Sequence, residues 1–438
     1  MTTSFGDDEG LWRELAPQTL ATLVRLYGAD RFELCEDAVQ DALLDAHRQW
    51  GARPPIDPRA WLVTTARRRY VDRVRSDQRR RDREARVALL EEPLVHDVRE
   101  SDDALLLLQL CCHPALPKSG QVALTLRAVA GLTTAQIANT YQLPEATISQ
   151  RITRAKRRLA QAHAAFPRPE HPDERLAPVL DVLYVMFTEA HHTTTGAPAR
   201  DADLAGEAIH LARLLRAAAP DSTEVAGLLA LMLLTEARQP ARAGALGRLV
   251  PLDEQDRSLW DRAIIEEGLK LLDLVVPGAT PGPYLVQACI AALHAQAPGT
   301  DSTDWAEITV LYVVLEHLTE GRNPTVTLNR IVAEAMVEGY DHGLALLDEL
   351  AASHPRLARL DAVRAHLLER AGRTDEAIDA YRRAAAATVN VAEQSHLRDR
   401  LIRLRSGEAL PAGDARPQQG LCGAGSVSLH KCRGLTAG

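Results

Sequence analysis

Aromatic residues make up only 4% of the 438-residue chain, and no segment sustains the alternation of apolar and polar residues that a half-buried strand shows. An all-β fold is thereby excluded. Alanine, leucine and arginine abound instead, and these are helix formers. No apolar run reaches the length of a membrane span, and the polar, acidic start Met1–Gly10 lacks the pattern of a signal peptide. A cytoplasmic location and no membrane contact are expected. The six cysteines form no CxxC pair, which argues against a disulfide framework or a zinc ribbon. Cys111-Cys112-His113 suggests a metal at first sight. Three adjacent residues cannot readily converge on one ion, so a buried helix end is the expectation. The chain also shows no nucleophile paired with a base, no phosphate loop and no metal set. We therefore expect no enzymatic activity and no cofactor.

Charge is unevenly spread. The net charge is −8, yet residues 67–86 hold ten arginines against four acids. Residues 145–159 hold five basic residues against one acid. Two separated cationic segments on an acidic protein suggest two contacts with one polyanion.

The more informative segment is 121–159, QVALTLRAVAGLTTAQIANTYQLPEATISQRITRAKRRL. Thr133 and Gln136 form a capping-box start for a helix ending near Tyr141. Leu143-Pro144 breaks that helix, and Pro144 suits the start of the next. In this second helix Ile148, Ile152, Ala155 and Leu159 make one apolar stripe. Thr147, Arg151, Arg154 and Arg158 fall on another face, flanked by Gln150 and Arg157. The pattern predicts a helix-turn-helix whose second helix enters a DNA major groove.

Residues 11–50 read as two helices broken near Gly28-Ala29-Asp30. The second directs Cys35, Ala38, Ala42, Leu43 and Ala46 inward, and leaves Asp37, Gln40, Asp41, Leu44 and Arg48 on another face. The acids there suit a solvated surface. Leu44 suits a docking face for a basic helical partner, and both readings stay open. Three prolines stiffen the loop at 51–58, and Asp57 caps the helix that follows. That helix interleaves Trp61, Thr64, Thr65 and Tyr70 with arginines, a pattern suited to unstacked bases. At least one of its two aromatics is expected in the core.

Residues 87–101 read as a linker, and a helical hairpin at 102–130 leads into the helix-turn-helix. Composition shifts after residues 167–172, PRPEHP, and residues 173–405 hold about ten amphipathic helices. Within them 333–352 aligns with 366–385, Gly339 to Gly372 being 33 positions and Gly343 to Ala377 being 34. That period resembles tetratricopeptide repeats. Between residues 238 and 260 an insertion interrupts the array. Its Gln255, Asp256, Arg257 and Trp260 are expected at a helix cap with a packed tryptophan. Residues 406–438 are expected to be a disordered tail.

In order and spacing, DAVQDALLDAHRQW, PRAWLVTTARRRYVDRVR and GLTTAQIANTYQLPEATISQRITRAKRRL resemble regions two and four of extracytoplasmic-function sigma factors of bacterial RNA polymerase. With LCCHPAL before the helix-turn-helix and QDRSLW after it, residues 11–405 are similar to the subgroup with a long tetratricopeptide-like extension. One departure is visible: relatives carry an acidic, glycine-bearing loop before QDRSLW, where this chain has Ala243-Gly244-Ala245-Leu246-Gly247.

The resemblance implies an all-α chain. Residues 11–86 would form region two, 102–165 region four, and 173–405 a repeat domain regulating the sigma module in cis. It implies that Asp37, Gln40, Asp41 and Leu44 bind core polymerase. Trp61, Thr65, Arg67, Arg68, Tyr70 and Arg75 would meet the −10 element, partly as single strands. Glu145, Thr147, Gln150, Arg151, Arg154 and Arg158 would read the double-stranded −35 element. A protein or peptide partner is expected for the repeats. The rival class, a one-component regulator with a helix-turn-helix and a sensing repeat domain, leaves the second basic helix and the acidic face of the second helix unexplained. A repeat scaffold with incidental positive charge would show no salt-dependent DNA binding.

Overall fold

The computed structural model describes residues 7–50, 54–81, 100–141, 143–162, 172–192, 204–242, 250–357, 359–388 and 391–406. Among these residues every regular element is helical. Residues 82–99 (which include most of the linker expected at 87–101), the loop at 243–249 and residues 407–438 of the tail expected at 406–438 fall outside them, as do residues 51–53 of the proline loop.

The chain forms two compact units. One holds residues up to His191 together with Ala199–Pro220, and the other holds His192–Pro198 and Asp221 onward. In the first, α1 (Asp7–Tyr27) and α2 (Phe32–Trp50) are separated by a single 3-10 turn, Ala29–Arg31. Gly28 makes that break with φ of 94°, a conformation costly for any residue with a Cβ. The helix α3 (Pro58–Arg81) packs along both α1 and α2. Asp57 starts it, accepting a 2.9 Å bond from the Ala60 amide.

Four shorter helices follow: α4 (Glu100–Cys111), α5 (Lys118–Ala128), α6 (Thr134–Tyr141) and α7 (Glu145–Gln161). The capping box is reciprocal, Thr133 N donating to Gln136 Oε1 at 2.8 Å and Gln136 N to Thr133 Oγ1 at 3.2 Å. Pro144 stands one place ahead of α7, as its N-cap. The stripe Ile148, Ile152, Ala155 and Leu159 is fully buried. At the end of α4, Gln121 Nε2 donates to the carbonyls of Cys112 and His113 at 2.9 and 3.1 Å. The Cys111-Cys112-His113 segment is thus a closed helix end, with both thiols buried.

The packing boundary does not coincide with the composition shift. Both α8 (Pro172–His192) and α9 (Leu204–Ala218) belong to the first unit, and Lys118 pairs with Asp181 of α8 at 2.8 Å.

The second unit comprises α10 (Thr223–Glu236), α11 (Gln239–Arg242), α12 (Arg262–Val275), α13 (Pro283–Gln296), α14 (Trp305–Leu318), α15 (Pro324–Glu338), α16 (Tyr340–Ser353), α17 (Leu360–Arg370), α18 (Thr374–Ala387) and α19 (Val391–Ser406). The aligned glycines have matching jobs. Gly339 turns α15 into α16 with φ of 102°, and Gly372 turns α17 into α18 with φ of 75°. A Cβ on Gly343 would sit 2.5 Å from that of Ala335, so the hairpin crossing admits only a small residue; Ala377 is the buried counterpart. A charged centre lies inside this unit: Arg400, 2% exposed, pairs with Glu254 and with Glu369 at 3.1 Å.

Candidate nucleic-acid and polymerase interface

On α7 the residues expected to read DNA stand clear of the core. Glu145, Gln150, Arg154 and Arg158 are exposed, and Thr147 and Arg151 are half-buried. At 100° per residue the three arginines lie on one flank of the buried stripe. With Ser119, Gly120 and Pro117 of the α5 start they line a cavity of about 210 Å³. A Cβ at Gly120 would meet Ala155 Cβ at 3.6 Å, an ordinary contact, so the approach of α5 to α7 does not itself demand glycine. No ion pair to Arg151, Arg154 or Arg158 is found among the described residues. Three guanidinium groups around one cavity, without an ion pair among the described residues, have the chemistry that phosphate oxygens or base edges match. Ser119 was missed by the sequence reading, since nothing in its local pattern brings it to α7.

The helix α3 behaves otherwise. Its exposed line is Ala60, Thr64, Arg68, Asp72 and Arg75, while Thr65 and Arg67 are half-buried. Thr64, spaced four residues before Arg68, therefore joins the surface residues. Tyr70 does not belong there. It is 5% exposed and stacks on Tyr27 with ring centroids 3.8 Å apart, so it is a core residue and not a DNA contact. Burial pushes its hydroxyl pKa up. Trp61 is half-buried and meets Trp50 edge-on at 5.2 Å, while Trp50 stacks on Trp12 at 5.0 Å. Both aromatics of this helix thus pack inward, one completely and one in part.

The acidic face of α2 is less open than its pattern suggests. Arg73 binds Asp37 and also Asp41, the latter at 2.7 Å. Arg69 Nε donates to the buried carboxylate of Asp45 at 2.8 Å. Burial raises the pKa of Asp37, against the opposing pull of Arg73. Gln40 and Leu44 remain exposed, Leu44 at 54%. A further acid of α2, Glu36, is buried and was not singled out from sequence, because it shares a face with Cys35 and Val39.

In the second unit QDRSLW forms a cap and a packed ring, as expected. Trp260 is 2% exposed, with the Arg257 guanidinium 4.8 Å above it. Arg257 also donates to the His294 carbonyl at 2.6 Å, closing the end of α13. Asp256 accepts from Ser258 N, and Asp261 starts α12.

Comparison with known proteins agrees with this geometry. Sigma-70 region 2 matches residues 11–80, and sigma-70 region 4 matches residues 109–159. A family of unknown function (DUF6596) matches 175–276. An uncharacterised protein of Rhizobium meliloti (strain 1021) is 40% identical over 427 residues, covering 92% of this chain and 99% of that protein. The ECF RNA polymerase sigma factor SigK of Mycobacterium sp. (strain KMS) is 34% identical over 125 residues, or 27% of this chain. The same holds for its namesake in strain JLS, and the match spans 63% of each SigK. No solved structure matches the chain. Among the described residues no helix is long and apolar enough to cross a membrane. Proteins of the sigma-factor family act with core RNA polymerase and promoter DNA. The two region models, in order and on the helices that carry the basic faces, place the chain in the sigma-70 family, as an extracytoplasmic-function RNA polymerase sigma factor with a helical C-terminal extension.

Proposed function

We propose that α7 reads the −35 element through Arg151, Arg154 and Arg158, with Glu145, Thr147 and Gln150 beside them. The observation that carries this is the cavity ringed by three arginines that have no ion pair among the described residues. The exposed line of α3, Thr64, Arg68 and Arg75, meets the −10 element, with Thr65, Arg67 and Trp61 at its margin. Gln40 and Leu44 form the open part of the polymerase-docking face, and Asp37 and Asp41 contribute once Arg73 yields them. The chain works in the cytoplasm and carries out no chemistry itself; the polymerase does. Residues 173–405 regulate the sigma module in cis, either through a partner protein or peptide or through the chain's own linker. The −10 and −35 sequences are read together only by the polymerase-bound chain.

The test is in vitro transcription with core polymerase and start-site mapping. Arg154→Ala should lower initiation from the cognate promoter and alter −35 preference, while Leu44→Ala should weaken capture of core polymerase. Truncation after Ala165 should change initiation at equal folded concentration. Transcription by all these variants at the level of the full chain would reject the site assignment.

A further inference from the structure

Within the first unit, the segments matching regions two and four are packed against one another. α4 lies on α1, and α7 lies on α2 and on the 3-10 turn at Ala29–Arg31. The junction centres on Glu36. This carboxylate, 8% exposed, receives Lys156 of α7 on one oxygen and Arg127 of α5 on the other at 3.3 Å. The Lys156 ammonium also lies 5.9 Å from the centroid of the buried Phe32 ring. Lys156 projects from the flank of α7 opposite Arg151, Arg154 and Arg158, so a single helix carries a DNA-facing side and a docking side. A buried acid between two cations from another segment is not needed for either segment's own core. Its cost of desolvation is offset only while the two segments stay together.

We propose that Glu36 is an ionic latch that holds the chain closed, and that promoter engagement requires its release. While latched, the chain cannot reach both promoter elements at once. Elements centred near −10 and −35 lie roughly 25 base pairs apart, or about 85 Å along the duplex. The longest helix of the packed pair, α3, spans only about 36 Å. With Lys156 in contact with α2, α7 cannot stand one element away from the surface of α3. Opening leaves Glu36 to be hydrated, and exposes Lys156 and Arg127 on the docking side. The latch itself is a property of the geometry; the promoter consequence rests on the assignment of α3 and α7 proposed above.

The experiment measures the distance between spin labels, attached through encoded non-natural residues at positions 48 and 162 of the full chain. The chain as it stands should give one narrow, short distribution. Glu36→Lys should broaden it to longer distances, and Glu36→Gln should do so in part. Glu36→Lys with both Lys156→Glu and Arg127→Glu, which inverts each ion pair, should return the distribution toward the narrow one. An unchanged distribution in Glu36→Lys overturns the latch. So does failure of the fully exchanged chain to narrow it at all when both variants melt cooperatively. Should Glu36→Lys not fold, Lys156→Ala and Glu36→Gln decide the question by the same readout. A second arm times association with core polymerase, which the opened variants should accelerate at least tenfold. Opening without acceleration rejects the gate. Loss of association by every variant and by the unaltered chain would instead sink the functional assignment.

Discussion

The helices α3 and α7 look alike in sequence, each dense in arginine, and they differ in what their cations do. Arg69 and Arg73 of α3 are engaged by Asp45, Asp37 and Asp41 of the neighbouring helix. Arg151, Arg154 and Arg158 of α7 have no such partner among the described residues and ring a cavity. The difference comes from what each helix packs on. α3 lies along an acidic helix, so part of its charge is used in holding the fold. α7 buries an apolar stripe against α5 and α6, which leaves its arginine flank open. Local charge density thus overstates the charge available to a polyanion wherever a neighbouring helix supplies acids.

The comparison breaks most visibly at Tyr70. If α3 were a DNA surface along its whole length, Tyr70→Ala would cost binding alone. Because the ring is buried on Tyr27, we expect the substitution to destabilise the first unit by about 3–5 kcal/mol. Tyr70→Phe should remain folded and open promoters normally. Denaturant unfolding of both variants checks this, and an unshifted midpoint for Tyr70→Ala would falsify the core assignment.

A third arrangement of cations occurs in the second unit, where they are sunk. Burial drives the pKa of Arg238 down to about 10, helped by Arg242 and Arg257. Burial also lowers His294 to about 4, with Arg238 and Arg257 adding to it. The sign follows directly. The unfolded histidine takes up a proton below about pH 6.5, whereas the folded one resists until about pH 4. Stability present above that window is therefore lost as the pH falls through it, by up to about 3 kcal/mol. His366 and His396 are lowered as well, chiefly by burial, and act in the same direction. Thermal unfolding of the full chain at pH 7 and pH 4.5 should show the second unit losing more than its His294→Gln variant does. Equal losses would remove His294 from the account.

On α7 the expected effect is next in size. Arg151→Ala and Arg154→Ala should each weaken promoter binding by about 1–3 kcal/mol and change the preferred −35 sequence if they touch base edges. Contact with phosphate alone would give a uniform loss and a shallower salt dependence. A promoter-library selection in two salt concentrations distinguishes these, and no change in either would make the open arginine flank an ordinary solvated surface.

Much of the architecture was legible because it is local. The Thr133–Gln136 capping box, the Asp57 cap, the buried stripe of α7 and the matched turns at Gly339 and Gly372 each depend on residues close in sequence. What escaped depends on residues far apart. Glu36 meets Lys156 across 120 positions, Ser119 reaches the α7 arginines only through packing, and Arg73 finds its acids on another helix. Periodicity could say which face Tyr70 occupies relative to its neighbours. It could not say that Tyr27 would be waiting opposite that face. The extension offered a partial case: its two aligned hairpins were readable, whereas the buried Arg400 joins Glu254 to Glu369 across more than a hundred residues.

The smallest effect sharpens the comparison most. Arg73 is partly exposed, so its two ion pairs with Asp37 and Asp41 should contribute no more than about 1 kcal/mol. Arg73→Gln should therefore fold nearly as well as the unaltered chain. It also returns two carboxylates to the face that holds Gln40 and Leu44. If those acids attract a basic helical partner, the variant should bind core polymerase at least as tightly as the unaltered chain, with a steeper dependence on salt. If Arg73 instead contributes directly to DNA, promoter binding should fall while polymerase binding stays constant. Asp41→Arg cannot separate these possibilities, because it sets one guanidinium against another and disturbs the α2–α3 packing. Competition binding of the Arg73→Gln chain to core polymerase at two salt concentrations does separate them, and weaker polymerase binding at both would remove Asp37 and Asp41 from the docking face, leaving Leu44 and Gln40 to carry it.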